Sequence, residues 1–248
     1  MVQCDVGQGD GAVIRTGTKQ GVVIDVGPDD VAMNRCLDEL NITTIPILVL
    51  THFHADHVGG LASVLHHRKV GQIFVSPLFD PPMTAQFVQG VLQENHLQPQ
   101  ILTAGAKFQV ADVQLECLWP SRLILGQGSD PNNASAVLLV TTHNTSVLMT
   151  GDVEPAAQDA IRTEHPEVHA DVVKIAHHGS RNQSESFAQW LHPKVALISV
   201  GKNNDYGHPA QQTISLYELL GAQVFRTDEH GDIALVKHDQ ELSIVTSK

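Results

Sequence analysis

Thr51-His52-Phe53-His54-Ala55-Asp56-His57-Val58-Gly59-Gly60 places four candidate ligands within six residues, directly after an apolar run. Protonated imidazoles repel one another, so gathering them is costly. A bound cation keeps the rings neutral and removes that cost. A tight loop lets His52 and His54 project one way while Asp56 and His57 turn to the other side. One divalent ion then takes two imidazoles, and a second takes a carboxylate and an imidazole. Gly59 and Gly60 allow close approach of the backbone. The plain alternative is a polar loop of solvated histidines.

Lys174-Ile175-Ala176-His177-His178-Gly179-Ser180 follows a second apolar run. Here His177 and His178 either form a satisfied core pair or point into the same mouth as the first group. In the second case one of them holds a phosphate oxygen or serves as general acid. Lys174, Arg181 and Lys202 stand beside the motifs, where they either meet an anionic substrate or form a solvated face. Ser180, Asn203 and Tyr206 are further candidates for substrate binding. Asp10, Asn133 and Ser135 are candidates for fixing ligand orientation by hydrogen bonds. The alternative for such residues is a local turn role.

The elements that must position these groups read as strands first. Val2 to Val6, Ala12 to Thr16 and Val22 to Val26 are β-branched runs separated by Gly7-Gln8-Gly9-Asp10 and Gly17-Thr18-Lys19. This pattern predicts an antiparallel meander. A helix is expected from Asp30 to Leu40, capped by Asp29 or Asp30, then a strand from Pro46 to Leu50 and a helix from His57 to His67. A strand near 73–76, a helix near 84–95 and strands near 107–110 and 113–119 follow. Residues 121–133 read as a loop. Ser135 to Thr142 and Ser146 to Thr150 predict a hairpin about His143-Asn144-Thr145. The tail alternates: helices at 154–162, 184–190 and 209–220 with strands at 171–175 and 194–200, then strands near Val224, Ile233 and Leu242. Two such halves predict an α/β four-layer sandwich over residues 1–248, with sheets inside and helices outside.

Bulk numbers narrow the class. The chain has 248 residues and a formal charge of −12, which argues against a broad basic nucleic-acid surface. Two divalent ions would add positive charge that this count omits. No apolar run is long enough to cross a bilayer, and the first ten residues do not read as a signal peptide. Cys4, Cys36 and Cys117 lie far apart without metal-ligand spacing, and buried thiols are expected rather than a disulfide framework.

HxHxDH after an apolar strand is the signature of the metallo-β-lactamase superfamily, which this chain resembles. Asp5-Val6-Gly7-Gln8-Gly9-Asp10, Asp25-Val26-Gly27, Thr150-Gly151-Asp152, His177-His178-Gly179-Ser180, Ser199-Val200-Gly201 and Tyr206-Gly207-His208-Pro209 complete an ordered set. Arg226-Thr227-Asp228 followed by Gly231 fits a last hairpin. Together these motifs resemble the C-terminal metallo-β-lactamase-like domain of the ComEC family of DNA-internalisation proteins. HxHxDH alone names only the superfamily; the other motifs together are far more specific, though stand-alone hydrolases carry them too.

The resemblance implies two divalent ions, Mn²⁺ or Zn²⁺. One sits on His52 and His54 and one on Asp56, His57 and His208, with Asp152 shared by both. It also implies degradation of the non-transported strand of DNA during natural transformation. Membrane helices of the same native chain would precede this part, with Met1 an engineered start. The domain would lie on the periplasmic side of the bacterial inner membrane, soluble and monomeric when isolated. A shared water would lose its proton at neutral pH and attack phosphorus in line, oriented by Asp56, with His178 steadying phosphoryl charge or protonating the leaving oxygen.

Two features depart from the pattern. Asn132-Asn133-Ala134-Ser135 stands where most superfamily members have another histidine ligand, and His143 is a weak substitute. The acidic balance is the second. The rival readings are a hydrolase of small esters (phosphocholine ester, lactone or thioester) and a non-catalytic DNA-binding domain, because one fold serves many chemistries.

Overall fold

The computed structural model describes residues 1–238 and 241–248. The first half lays down β1 (Val2–Gln3), β2 (Gly11–Gly17), β3 (Gln20–Val26), α1 (Ala32–Glu39) and β4 (Thr44–Leu50). It continues with α2 (Ala55–Val58), α3 (Leu61–His67), β5 (Lys69–Val75), α4 (Pro82–Glu94) and β6 (Pro99–Ile101). The second half opens with β7 (Lys107–Val110), β8 (Val113–Trp119), α5 (Asp130–Asn133), β9 (Val137–Thr142) and β10 (Thr145–Met149). Then come α6 (Pro155–Glu164), β11 (Val172–Lys174), α7 (Glu185–Leu191), β12 (Val195–Ile198) and α8 (Gln211–Leu219). The chain ends with β13 (Gln223–Arg226), α9 (Thr227–His230), β14 (Ile233–His238) and β15 (Glu241–Thr246).

Side chains alternate across each strand, and this alternation builds the layers. Val13, Val23, Leu48 and Leu50 face α1, α3 and α4. Their neighbours Ile14, Ile24, Ile47 and Val49 face the opposite way, against Leu115, Val140, Val147 and Leu197 of the second sheet. The far side of that sheet buries Leu148, Val173 and Ile198 against α6, α7 and α8. Three apolar clusters therefore hold together four layers of structure: helices, sheet, sheet, helices. This is the α/β four-layer sandwich expected from the sequence. The strand order is β15-β14-β1-β2-β3-β4-β5-β6 in one sheet and β13-β12-β11-β10-β9-β8-β7 in the other.

Both sheets are mixed. β3, β4, β5 and β6 run parallel, as do β10, β11, β12 and β13. Loops leaving the carboxyl ends of adjacent parallel strands open onto one crevice, the usual ligand position in such sheets. The loop after β4 carries His52 and His54, the loop after β10 carries Asp152, and the loop after β11 carries His177 and His178. The loop after β12 carries His208.

Several expectations need correction. The helix expected over 57–67 is two helices, α2 and α3, because Gly59 and Gly60 press against the backbone of Pro28, Val26 and Asp29. The loop expected over 121–133 contains α5, started by Ser129, whose hydroxyl accepts from Asn132 N–H. The Arg226-Thr227-Asp228 segment enters α9, which leads into the last hairpin of β14 and β15. Three-residue β6 carries too little periodicity to be read in advance. Asp29 accepts from the N–H of Val31 and Ala32 at the start of α1, whose N-cap position is Val31 rather than Asp29 or Asp30.

The cysteine expectation fails most clearly. Cys4 and Cys36 form a disulfide, joining the chain just beyond β1 to α1 across 32 residues, while Cys117 is a buried free thiol. Burial pushes the Cys117 thiol up to about 12.

Candidate metal centre

β4 ends at Leu50, and its apolar run seats Thr51, His52 and Phe53 in the interior. His54 then takes the extended conformation that precedes α2, whose first turn holds Asp56 and His57. Gly9 lies against Asp56, and a Cβ there would collide with the Asp56 carbonyl. That close approach lets Asp10 N–H donate to the Asp56 carbonyl at 3.2 Å and brings the Asp10 side chain behind the site.

The hydrogen bonds fix which nitrogen keeps its proton when each ring is neutral, the form that binds a cation. His57 Nδ1 is 2.8 Å from Asp25 Oδ2, an acceptor only, so Nδ1–H donates and Nε2 presents a lone pair. Thr51 Oγ1–H is committed to the same Asp25 oxygen at 2.7 Å. The hydroxyl can therefore only accept from His52 Nδ1, 3.2 Å away, which leaves His52 Nε2 as a lone pair. His178 Nδ1 donates to the Ser199 carbonyl at 2.9 Å, with the same result.

Three imidazole Nε2 atoms thus converge on one carboxylate oxygen. Asp152 Oδ2 lies 3.3 Å from His57, 3.3 Å from His178 and 3.9 Å from His52. Asp56 Oδ2 is 3.2 Å from His178 Nε2. The donor atoms of Asp56, His57, Asp152 and His178 all lie within 4.8 Å of one another. His52 Nε2 and His54 Nδ1 stand 3.1 Å apart on the adjoining side. His57 Nε2, His178 Nε2 and Asp152 Oδ1 are buried without a hydrogen-bond partner. Buried polar atoms are rarely left so. A set of lone pairs aimed at one another is stable only around positive charge, so these residues fit divalent cations.

Behind the donors lies a buried layer. Lys174 Nζ pairs with Asp10 Oδ2, donates to the Gly151 carbonyl at 2.9 Å and sits 3.5 Å from Asp152 Oδ1. Asp10 Oδ1 lies 3.4 Å from His178 Nδ1. Burial alone would discharge Lys174, but Asp10 and Asp152 hold its pKa above the ordinary value. Burial likewise depresses His52 and His54, so both rings are neutral ligands.

The sequence-predicted residues separate into three groups. His52, His54, Asp56, His57 and Asp152 come together, and His178 stands with them. His208 does not: its ring packs on His177, with centroids 5.3 Å apart, at the wall of a cleft of about 550 Å³. Burial and the neighbouring His177 push its pKa down to about 4. His178, rather than His208, has its donor atom within the cluster of Asp56, His57 and Asp152, while both rings line the same cleft. Of the proposed substrate-binding residues, Tyr206 lines the cleft. Lys174 is corrected from a surface contact to a buried ion pair. Ser180 is buried in a turn, accepting from Asn182 N–H. Arg181, Lys202 and Asn203 are exposed outside the cleft wall.

His177 lines the cleft, with Nδ1 3.5 Å from Asn132 Nδ2. Ser135 Oγ accepts from Asp152 N–H at 3.2 Å, and Asn133 Oδ1 accepts from Glu154 N–H at 3.2 Å. Both brace the loop that presents Asp152 rather than touching a ligand ring. His143 sits at the exposed hairpin tip, 3.0 Å from Asp112, and is no substitute ligand. The role of Asp25 went unread, although the motif Asp25-Val26-Gly27 is in the sequence. Asp25 adopts φ 57°, a left-handed conformation uncommon outside glycine.

The charges make stability depend on pH in a defined direction. Burial depresses the His57 and His178 imidazoliums, but facing carboxylates, Asp152 foremost, raise both well above 6.5. Burial favours neutral Asp152, yet His178, His57 and Lys174 hold it well below 3.8. Raised rings stabilise the metal-free fold fully below 6.5 and cease to as pH rises through their folded values. The depressed carboxylate stabilises above 3.8 and ceases to as pH falls through its folded value. The metal-free chain is thus expected to be most stable between 3.8 and 6.5. A cation must displace the ring protons, so the metal-induced rise in Tm grows with pH. Thermal scans with and without chelator check this. A metal increment independent of pH would remove the convergent rings from the ligand set.

Residues 4–201 match the model of the Metallo-beta-lactamase superfamily. ComE operon protein 3 of Bacillus subtilis (strain 168) is 31% identical over 252 residues, covering 92% of this chain and 32% of that protein. Competence protein ComA of Neisseria gonorrhoeae is 27% identical, covering 92% of this chain and 30% of that protein. The chain spans about a third of the length of these relatives. Zn(2+)-bound PqqB from Methylobacterium extorquens shares the fold, with a TM-score of 0.60 at 10% identity over 88% of this chain and 85% of that one. The carboxyl-end donor loops and the match across most of the sequence agree: this chain belongs to the metallo-beta-lactamase superfamily.

Proposed function

We propose that the chain is a metal-dependent phosphodiesterase that cleaves DNA, the catalytic part of a longer membrane protein of DNA uptake. The observation that carries the metal dependence is the convergence of unpartnered His57 Nε2 and His178 Nε2 on Asp152. Asp56, His57, Asp152 and His178 would hold one ion, and His52, His54 and the shared Asp152 a second. Bound divalent ions supply Lewis acidity and a water-derived nucleophile at neutral pH.

The chain's own residues do the rest. Asp56 is partly open to the cleft and orients the incoming water by accepting its hydrogen bond. His177 and His208 line the path of the scissile group, and a neutral His208 donates through its one ring N–H. The relatives named for competence support DNA as substrate. The Cys4–Cys36 disulfide supports an extracytoplasmic location, since such bonds persist in oxidising compartments. Among the described residues no helix is long and apolar enough to cross a membrane, so any span would come from the remainder of the longer protein.

The test is cleavage of labelled single-stranded DNA by the metal-stripped chain, resupplied with Mn²⁺, Zn²⁺ or Mg²⁺, beside His178→Ala. Cleavage only with metal is expected, together with a fall of more than about tenfold in metal affinity for the variant. Full metal content with reduced turnover in His178→Ala would return that ring to a phosphate contact or proton donor. No cleavage by a chain holding two ions would favour a small-ester hydrolase.

A further inference from the structure

A line of aromatic rings leads from the donor cluster to solvent. His178 packs edge-on to His177, with centroids 6.1 Å apart and planes at 75°. His177 packs edge-on to His208 at 5.3 Å and 70°. His208 lies nearly parallel to Tyr206 at 6.0 Å and 17°. All four line the same cleft. Tyr206 is 73% exposed, unusual for so large a ring.

The turn that carries Tyr206 is not loose. Asn204 Oδ1 accepts from the N–H of Tyr206 and of His208, both at 3.1 Å. Its Nδ2 donates to the carbonyls of Gly201 and His208. One amide therefore ties the backbone at both residues of the outer pair to the strand end that supports them. An aromatic face carried into water on a braced turn, beside a site that fits cations, offers a surface on which a planar ring can stack. Stacking also answers the charge problem. A chain of net charge −12 gains little from a phosphate backbone, whereas every nucleobase has a π-face that binds without counter-charge.

Resting on the phosphodiesterase reading, we infer that the Tyr206–His208 pair is a binding platform for an unpaired nucleobase, which selects single-stranded nucleic acid and seats the neighbouring phosphodiester over the donors. A base inside a duplex is already stacked and cannot use the platform.

The test reads binding separately from cleavage. Fluorescence anisotropy of the metal-stripped chain is measured with labelled oligothymidylate and with an abasic deoxyribose-phosphate oligomer of equal length. Tyr206→Ala and Tyr206→Trp are measured alongside. The native chain should prefer the base-bearing oligomer by about tenfold or more, the scale of one base–aromatic stack. The preference should fall toward one in Tyr206→Ala and persist in Tyr206→Trp, with little dependence on salt. Equal binding of both oligomers by the native chain, no binding of either, or a preference unchanged in Tyr206→Ala would each overturn the platform. Equal and tight binding would point instead to sugar or phosphate as the group recognised. The phosphodiesterase reading fails separately, if the oligomers bind but no metal restores cleavage.

Discussion

Asp152→Ala should lose bound metal and hydrolytic activity together. The carboxylate lies among His52, His57 and His178, and among the described residues no other acidic oxygen pairs with all three rings. Removing it leaves the lone pairs of those rings without the anion that makes a shared cation favourable. Loss of an outer partner of a metal ligand costs about 10- to 100-fold in affinity or activity. Loss of the shared ligand should exceed that range. Asp152→Asn separates charge from shape, since the amide fills the same space and leaves the backbone N–H bond to Ser135 in place. Metal content by plasma mass spectrometry, beside activity and circular dichroism, decides the matter. A folded Asp152→Ala chain that still binds two ions and turns over would remove the shared-ligand role altogether. The opposite failure, a chain that does not fold, is covered by the asparagine variant.

Why some of this could be read in advance is a matter of distance along the chain. His52, His54, Asp56 and His57 lie within six residues, so one turn suffices to group them, and spacing alone reveals the group. Asp152 was legible only through the resemblance, which implies a later aspartate after an apolar strand, a place that Thr150-Gly151-Asp152 fills. The choice between His178 and His208 was not legible. Both follow apolar strands, and only the left-handed turn at His177 and His178, φ 51° and 52°, swings the second ring inward. Nothing in the local sequence announces that turn. The layered fold was legible because alternation assigns each strand residue to a face. β6 and α5 were not, since three or four residues are too few for a period to show.

Longer-range pairings were invisible for the same reason. Asp25 reaches His57 across two elements, and Cys4 reaches Cys36 across 32 residues without any spacing rule to mark it. Lys174 is the instructive case. A lysine beside a suspected phosphate site invites a surface role, and at the end of a strand its side chain can point either way. β11 sits between β10 and β12, so its alternate residues are buried on one face or the other. The presence of Asp10 and Asp152 on that buried side, from loops far away in sequence, makes an interior ammonium tolerable.

Lys174→Met should therefore act on stability first and on substrate binding little. Methionine matches the volume of the buried stem but leaves Asp10 without its partner in the interior. Breaking a buried pair from one side typically costs about 3–5 kcal/mol, because the remaining charge is uncompensated. For a chain of this size that is a fall in Tm of about 10 °C or more. The Asp10→Asn variant removes the orphaned charge, so Lys174→Met combined with Asp10→Asn should recover part of the loss, a coupling that independent sites would not show. Thermal unfolding of the metal-free single and double variants measures it. The same proteins should bind an anionic oligomer with an unchanged salt slope, since no solvent-facing cation has been lost. A variant of full stability with weakened, less salt-sensitive binding would instead put Lys174 back at the surface. That outcome would also dissolve the buried layer that holds Asp152 and His178 in register, and with it the reason those two donors meet.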